Sequence, residues 1–266
     1  MSAESKGLAV VTGASTGIGA VYADRLARRG YDLLLVARSA DRLSAVAERL
    51  HADTGRSVKT FVADLANAAE VRKLAELIEA DKDFALLVNN AGIALAGTLA
   101  SAEVEEVERI IAVNISAPTV LARAATRALQ KRGSGAIISI ASVLALAPDR
   151  FESVYSATKA YILSLGMGLA QDLQETDVRV QVVLPGATRT EIWERSGRDV
   201  NAFPPDWVME VDHLVDAAFV GFDAGETVTI PPLAEEDDWN SMQAARQAMI
   251  PKLSRREVAS RYRVTA

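Results

Sequence analysis

Lys6-Gly7-Leu8-Ala9-Val10-Val11 runs straight into Thr12-Gly13-Ala14-Ser15-Thr16-Gly17-Ile18-Gly19 near the start of the chain. The opening part reads as a short buried strand, apolar without interruption from Leu8 to Val11. The continuation is a glycine-rich turn with the spacing G-x-x-x-G-x-G. A helix-like stretch, Ala20-Val21-Tyr22-Ala23-Asp24-Arg25-Leu26-Ala27-Arg28-Arg29, follows it and is stopped by Gly30. Strand, glycine turn and helix in that order form the setting of a dinucleotide-binding unit. The free N–H groups and positive dipole end of the helix attract a pyrophosphate. Glycines let the backbone approach closely and adopt positive φ. Outside this setting, such a turn could also be a plain structural one.

Strand-like and helix-like segments alternate beyond it. Strands are expected at 32–37, 57–62, 85–88, 136–140 and 178–184, and a last one at 227–230, closed by Pro231-Pro232. Helices are expected at 39–51, from after Asp64 to about Ala80, on either side of Asn114, and over 153–174. Pro118 is tolerated early in the helix that follows Asn114. Continuous apolar strands separated by helices imply an α/β protein: a doubly wound parallel β-sheet of about seven strands with helices on both faces. No repeat, low-complexity tract or linker interrupts residues 1–266, so a single domain is expected. Within it, 187–226 is a candidate substrate lid and 233–266 an extension. The extension opens with acidic Glu235-Glu236-Asp237-Asp238 and then reads as helical from Trp239 to Arg261, broken at Pro251.

At 266 residues, 50% of them hydrophobic, the chain is long enough for one large domain with a sizeable core. A net charge of -6 argues against non-specific nucleic-acid binding, which needs clustered basic charge. The absence of cysteine excludes disulfides, a thiolate nucleophile and Cys-based metal sites, and no metal is expected. The polar start, followed by an apolar run only one strand long, lacks a signal-peptide layout. No stretch of ~20 apolar residues is present to span a bilayer. A cytoplasmic location is the default expectation.

Tyr155 and Lys159, in Val154-Tyr155-Ser156-Ala157-Thr158-Lys159-Ala160, lie one helical turn apart, so phenol and ammonium share a face. A free Tyr loses its proton near pH ~10. A fixed positive charge nearby lowers that value, and reaching ~7 takes roughly 4 kcal/mol of differential stabilisation. Such pairs also arise by chance on solvated helix faces. The glycine turn upstream is what gives this one meaning.

Taken in order, the motifs resemble those of the classical short-chain dehydrogenase/reductase (SDR) family. The resemblance rests on Thr12 to Gly19, Asn89-Asn90-Ala91-Gly92 after the fourth strand, and Asn114 in Val113-Asn114-Ile115. It continues with Ser142 in Ile138-Ser139-Ile140-Ala141-Ser142, Tyr155 with Lys159, and Pro185-Gly186-Ala187-Thr188-Arg189-Thr190. It covers roughly residues 5 to 195 and implies a Rossmann fold that binds NAD(P). In its light Tyr155 is the general acid in carbonyl reduction and the base in alcohol oxidation. Ser142 bonds the substrate oxygen; only its distance from Tyr155 selects it over Ser139. Lys159 lowers the Tyr155 pKa and holds the ribose hydroxyls, and Asn114 anchors a water in the proton relay. Without the resemblance Asn114 can also be read as a kink or cap, and Ser142 as a strand-end hydroxyl. The implied cofactor contacts are Thr12, Gly13, Ser15, Thr16, Gly17, Ile18, Gly19, Asn90, Ala91, Gly92, Tyr155, Lys159, Pro185, Gly186, Thr188 and Thr190. Asp64, with Leu65, matches the adenine-binding position, and Asp64 also reads well as the N-cap of the next helix.

Cofactor preference turns on Leu35-Val36-Ala37-Arg38. An acid at the end of this strand would bind a ribose 2′-OH and repel a 2′-phosphate. The chain has Ala37 there and Arg38 beside it, and a guanidinium suits a phosphate dianion. NADP(H) is therefore expected over NAD(H), on one arginine; an Arg38 that stacks on adenine or faces solvent leaves both open. The substrate is expected to be a small, apolar carbonyl or alcohol, with Leu144 and Trp193 lining its pocket among Val143 to Pro148 and Trp193, Phe203, Pro204, Pro205 and Trp207. The aromatic residues would equally suit a lid or a subunit contact. Steroid-like, 3-oxoacyl and sugar-like substrates stay open, as does the direction of reaction. The resemblance also implies a homodimer or homotetramer.

Other classes fit less well. A hydrolase using Ser142 would need a histidine base, and His51 and His213 both read as surface residues. A non-catalytic dinucleotide-binding regulator would not need Asn114, Ser142, Tyr155 and Lys159 together. An epimerase or dehydratase would show another glycine spacing. An NAD-dependent alcohol dehydrogenase of the same family is the main alternative.

Overall fold

The computed structural model describes residues 5–263. The chain divides into two compact units, Met1–Pro231 and Pro232–Ala266. The first holds a seven-stranded sheet in the order β3-β2-β1-β4-β5-β6-β7, with every neighbouring pair parallel. The strands are β1 (Leu8–Thr12), β2 (Asp32–Ala37), β3 (Val58–Val62), β4 (Phe84–Asn89), β5 (Ser134–Ile140), β6 (Asp177–Val183) and β7 (Val228–Thr229). Strand order reverses between β1 and β4, and that crevice at the carboxyl ends is where ligands bind in open α/β sheets.

Helices α1 (Gly17–Arg28), α2 (Ala40–Thr54), α3 (Ala68–Ala80), α4 (Val104–Ile111), α5 (Ala117–Arg132), α6 (Ser153–Asp172), α7 (Ile192–Arg195) and α8 (Val211–Ala224) complete this unit. Side chains alternate across each strand, so the apolar runs feed two cores. Ala9, Val11, Leu33 and Leu35 pack with Leu26 of α1, Leu43 of α2 and Phe219 of α8. Val10, Leu34 and Val36 pack on the opposite face with Leu74 of α3 and Leu121 of α5. This is the doubly wound arrangement anticipated from the apolar strands. Within the 187–226 region, α8 belongs to the first core, and only the irregular stretch before it lies apart from the layers.

Two local departures have physical causes. The helix-like stretches around Asn114 are joined by a π turn, Ala112–Ser116, so the chain keeps a helical path from Val104 to Arg132. Pro118 sits in the first turn of α5, where its missing N–H is harmless. In the second unit, α9 (Glu236–Met249) ends in a 3-10 turn at Ile250–Lys252, and the expected helix to Arg261 does not continue. Pro251 removes a donor and clashes with the preceding turn. Glu236, Asp237 and Asp238 occupy the first turn of α9, where carboxylates complement the helix dipole.

Candidate active site

The glycine turn wraps from β1 to α1 against the end of β4. Gly13 has φ +66°, and a Cβ on Gly19 would strike the Gly13 carbonyl oxygen, so neither position accepts a side chain without moving the turn. Thr12 Oγ1 donates to Val88 O (3.2 Å) and accepts from Asn90 N (3.0 Å) and Ala91 N (3.1 Å). Asn90 Nδ2 donates to Thr12 O at 2.8 Å. Thr16, the N-cap of α1, makes no side-chain cap bond, which leaves the first amides of α1 to an outside acceptor. That cradle fits the pyrophosphate of a dinucleotide. Ser15 and Gly17 are half-buried on the turn, whereas Ile18 packs its side chain on the first core. Thr190 packs over Gly17. Thr188 is buried and bonds the Gly186 carbonyl within the loop that begins at Pro185.

Arg38 stands exposed just beyond β2. Asp64 lies close enough to feel its charge. Burial acts to raise the Asp64 carboxyl, but the Ala66 amide and the Arg109 guanidinium, with Arg38, hold it below the usual carboxylate range. Arg109 Nη2 reaches both Asp64 oxygens at 2.9 and 3.0 Å. Asp64 is not the N-cap of α3. Asn67 takes that place and accepts from Ala69 N, because three residues of turn separate Asp64 from the helix. Leu65 is buried in the second core, so its side chain offers a cofactor nothing.

Tyr155, Ser142, Lys159 and Asn114 come together at the carboxyl end of β5. Ser142 lies close enough to the Tyr155 phenol to lower its pKa, donates to Pro185 O at 3.5 Å, accepts from Leu144 N at 3.2 Å, and lies past the end of the strand that contains Ser139. Lys159 is 5% exposed and donates to Ile140 O at 2.9 Å. Asn114, within the π turn, accepts from Ile93 N (2.9 Å) and donates to Ile93 O (2.8 Å) and Thr158 Oγ1 (3.0 Å). A Cβ on Gly92 would touch both the Lys159 ammonium and Asn114 Oδ1. Glu152, buried, caps α6 by accepting from Tyr155 N at 2.7 Å and from Val154 N.

The expected depression of the Tyr155 pKa is not what this arrangement produces. Burial pushes the phenol up to about 12; the Ser142 hydroxyl nearby pulls it down, and the Glu152 charge adds to the rise. Lys159, whose ammonium is 5.6 Å from the Tyr155 ring centroid, is itself lowered to about 8 by burial. Desolvation disfavours both charged forms and outweighs the attraction that spacing alone suggests.

An aromatic wall continues from Tyr155. Its ring meets Phe151 edge-on at 5.9 Å; Phe151 meets Trp193 at 6.2 Å and 90°, and Trp193 meets Phe203 at 5.0 Å. Trp193 Nε1 donates to Thr188 O at 2.7 Å, which fixes its ring. Arg198 lies over Phe151, with Cζ 3.8 Å from the ring centroid. Trp207 is 67% exposed and takes no part. Leu144 is half-buried in the short turn after Ser142. Phe151, Glu152, Thr158 and Arg198 had no motif to mark them, although Thr158 is three residues from Tyr155 and so falls beside it on the helix. His51 and His213 are exposed, and His51 bonds the Arg56 carbonyl, so neither serves Ser142. A separate cleft lined by Asp24, Arg25, Arg28, Arg49 and Asp212 contains none of these groups; its charges pair with one another. Among the described residues, no cluster of metal-binding side chains forms and no helix is long and apolar enough to cross a membrane.

Such a sheet, with a glycine turn at its crevice, defines the dinucleotide-binding class. A family model described as short chain dehydrogenase matches residues 7–201, and the chain belongs to that family of oxidoreductases. It is similar to a solved short-chain dehydrogenase from Sphingobium yanoikuyae in complex with NADPH, with 46% identity and a TM-score of 0.94, covering 97% of this chain and 100% of that one. A bulky-bulky ketone specific alcohol dehydrogenase from Comamonas testosteroni is 38% identical with a TM-score of 0.89, covering 96% and 98%. An oxidoreductase of Staphylococcus saprophyticus is 36% identical over 189 residues, 70% of this chain and 80% of that protein.

Proposed function

We propose that this chain is an NADP(H)-dependent reductase of ketones flanked by bulky apolar groups, acting equally as a dehydrogenase of the matching secondary alcohols. The observation that carries the reading is the gathering of Ser142, Tyr155, Lys159 and Asn114 at the carboxyl end of β5, with an aromatic wall rising from Tyr155. When bound, the nicotinamide supplies or accepts the hydride.

The protein's own groups do the rest. Tyr155 holds its proton firmly at neutral pH, since burial raises it, and is thus ready to protonate a forming alkoxide. Ser142 donates to the same oxygen and stabilises its charge. The Lys159 ammonium, fixed by Ile140 O, adds positive charge beside the phenol. Asn114 keeps the π turn against Ile93 and Thr158. Phe151 and Trp193 exclude water and favour a flat apolar group. The glycine turn and α1 would hold the pyrophosphate, and Arg38, exposed beyond β2 next to Ala37, which takes the place of an acid, would hold the 2′-phosphate. The NADPH bound by the Sphingobium relative and the ketone named for the Comamonas relative support the same reading.

The test measures NADPH-linked reduction of a panel of bulky ketones. Tyr155→Phe is expected to lower turnover about 10²-fold or more while leaving NADPH affinity nearly intact. Arg38→Ala is expected to weaken NADPH far more than NADH. Retained activity in the first variant, or equal losses in the second, would refute the corresponding assignment.

A further inference from the structure

We infer that Arg198 is a specificity-determining residue that pairs with a carboxylate carried on the far end of an aromatic ketone. The inference rests on the proposed role of Tyr155 at the ketone oxygen and adds the group recognised at the other end of the substrate.

Arg198 Nη1 is enclosed and has no hydrogen-bond partner, and no described residue forms an ion pair with this side chain. The neighbouring arginines of the same segment are all paired: Arg189 with Glu210 and Asn201, and Arg195 with Glu191. The acidic residues flanking it make no pair with it, Glu194 being exposed and two others engaged elsewhere. Glu191 also takes Arg42, and Asp199 takes Asn201 N and Nδ2. An arginine cannot relieve the deficit by losing its proton. An enclosed N–H group without an acceptor is costly, and here the guanidinium that carries it stands one ring away from the Tyr155 ring along the aromatic wall.

Geometry selects the ligand chemistry. Contact with the Phe151 ring, 3.8 Å from Cζ to the centroid, holds the guanidinium in place. A planar fork so fixed suits a carboxylate, which it binds through two parallel N–H bonds. The residue as a whole is part-exposed, so part of the side chain is open to an entering ligand. A substrate whose ketone oxygen meets Tyr155 and whose flat ring lies along Phe151 carries its opposite edge towards Arg198. Aryl ketones with a carboxylate across the ring have this shape.

The experiment compares kcat/KM for 4-acetylbenzoate and acetophenone with NADPH, in the unaltered protein, Arg198→Gln and Arg198→Lys. Arg198→Gln is expected to lower the ratio of charged to uncharged ketone about 10- to 100-fold, mainly through the KM of the charged one. Arg198→Lys restores only part of it, because the charge remains and the fork is lost. Any packing defect from the lost Phe151 contact affects both ketones and cancels in the ratio. An unchanged ratio overturns the inference. Benzoate binding, followed by quenching of the tryptophan emission in the presence of NADP+, supplies a readout that needs no turnover. If neither ketone is reduced, the reductase reading falls, and the titration still decides the arginine: weaker benzoate binding to Arg198→Gln upholds it, and equal binding overturns it.

Discussion

Lys159 carries a charge into a place that water barely reaches, and its titration makes that measurable. Burial lowers its pKa from 10.5 to about 8, so folding favours the neutral amine. The native state is therefore penalised below pH ~8, and the penalty lifts as pH rises from about 8 to about 10.5, by no more than about 3 kcal/mol. Tyr155, raised from 10.0 to about 12, acts the other way: its contribution is present below pH ~10 and is lost above it. In Lys159→Met only the amine's part disappears. Urea unfolding should show the variant gaining most over the unaltered protein at pH 7 and least near pH 10.5. A pH-independent difference would contradict a buried ammonium. The neighbouring residues show how far spacing could be read. Ser142 was separable from Ser139 by its distance from Tyr155, because a residue beyond the strand end is free to face the crevice. The direction of the Tyr155 shift was not legible, since desolvation depends on what the tertiary fold brings over the ring. Arg198 and Phe151 lie in stretches without periodicity, and nothing local announced that they would stack.

Helix α6 is held at its start by Glu152, which accepts two backbone amides, one of them that of Tyr155. Glu152→Ala should cost about 1–2 kcal/mol of stability, as loss of a cap does, seen as a lower urea midpoint. Glu152→Gln keeps an acceptor oxygen but removes the charge that helps to raise the Tyr155 phenol. It should therefore preserve most of the midpoint while moving the alkaline limb of the pH–rate profile to lower pH. An unmoved limb would show that the carboxylate acts on the helix alone. Strands and most helices were readable because continuous apolar runs bounded by Gly, Asp or Ser leave few alternatives; β2 spans the expected residues. The π turn was not, because an extra residue in a helix leaves the apolar spacing almost unaltered. What creates it is the three-way bonding of Asn114 to Ile93 and Thr158, a contact between distant parts of the chain.

Both cores of the first unit are built from residues before Pro231, and α9 of the second unit buries none of its side chains. Removing residues 232–266 should therefore leave a folded protein with a Tm within a few degrees of the original and with NADPH affinity retained. A large fall in Tm would show that the removed segment is needed for the fold. The parallel pairing of the strands was implicit in the alternation of strand and helix, because parallel strands need crossovers that place helices on both faces; their order was not.

The Thr12 hydroxyl uses its one donor and both lone pairs at the place where strand order reverses, on Val88, Asn90 and Ala91. It works as a keystone between the two halves of the crevice. The turn that would carry phosphate and the loop that runs on to Gly92, beside Lys159, cannot drift apart while it holds. Warming the protein should not free one end of a bound dinucleotide before the other: grip and chemistry are lost together, as a single event.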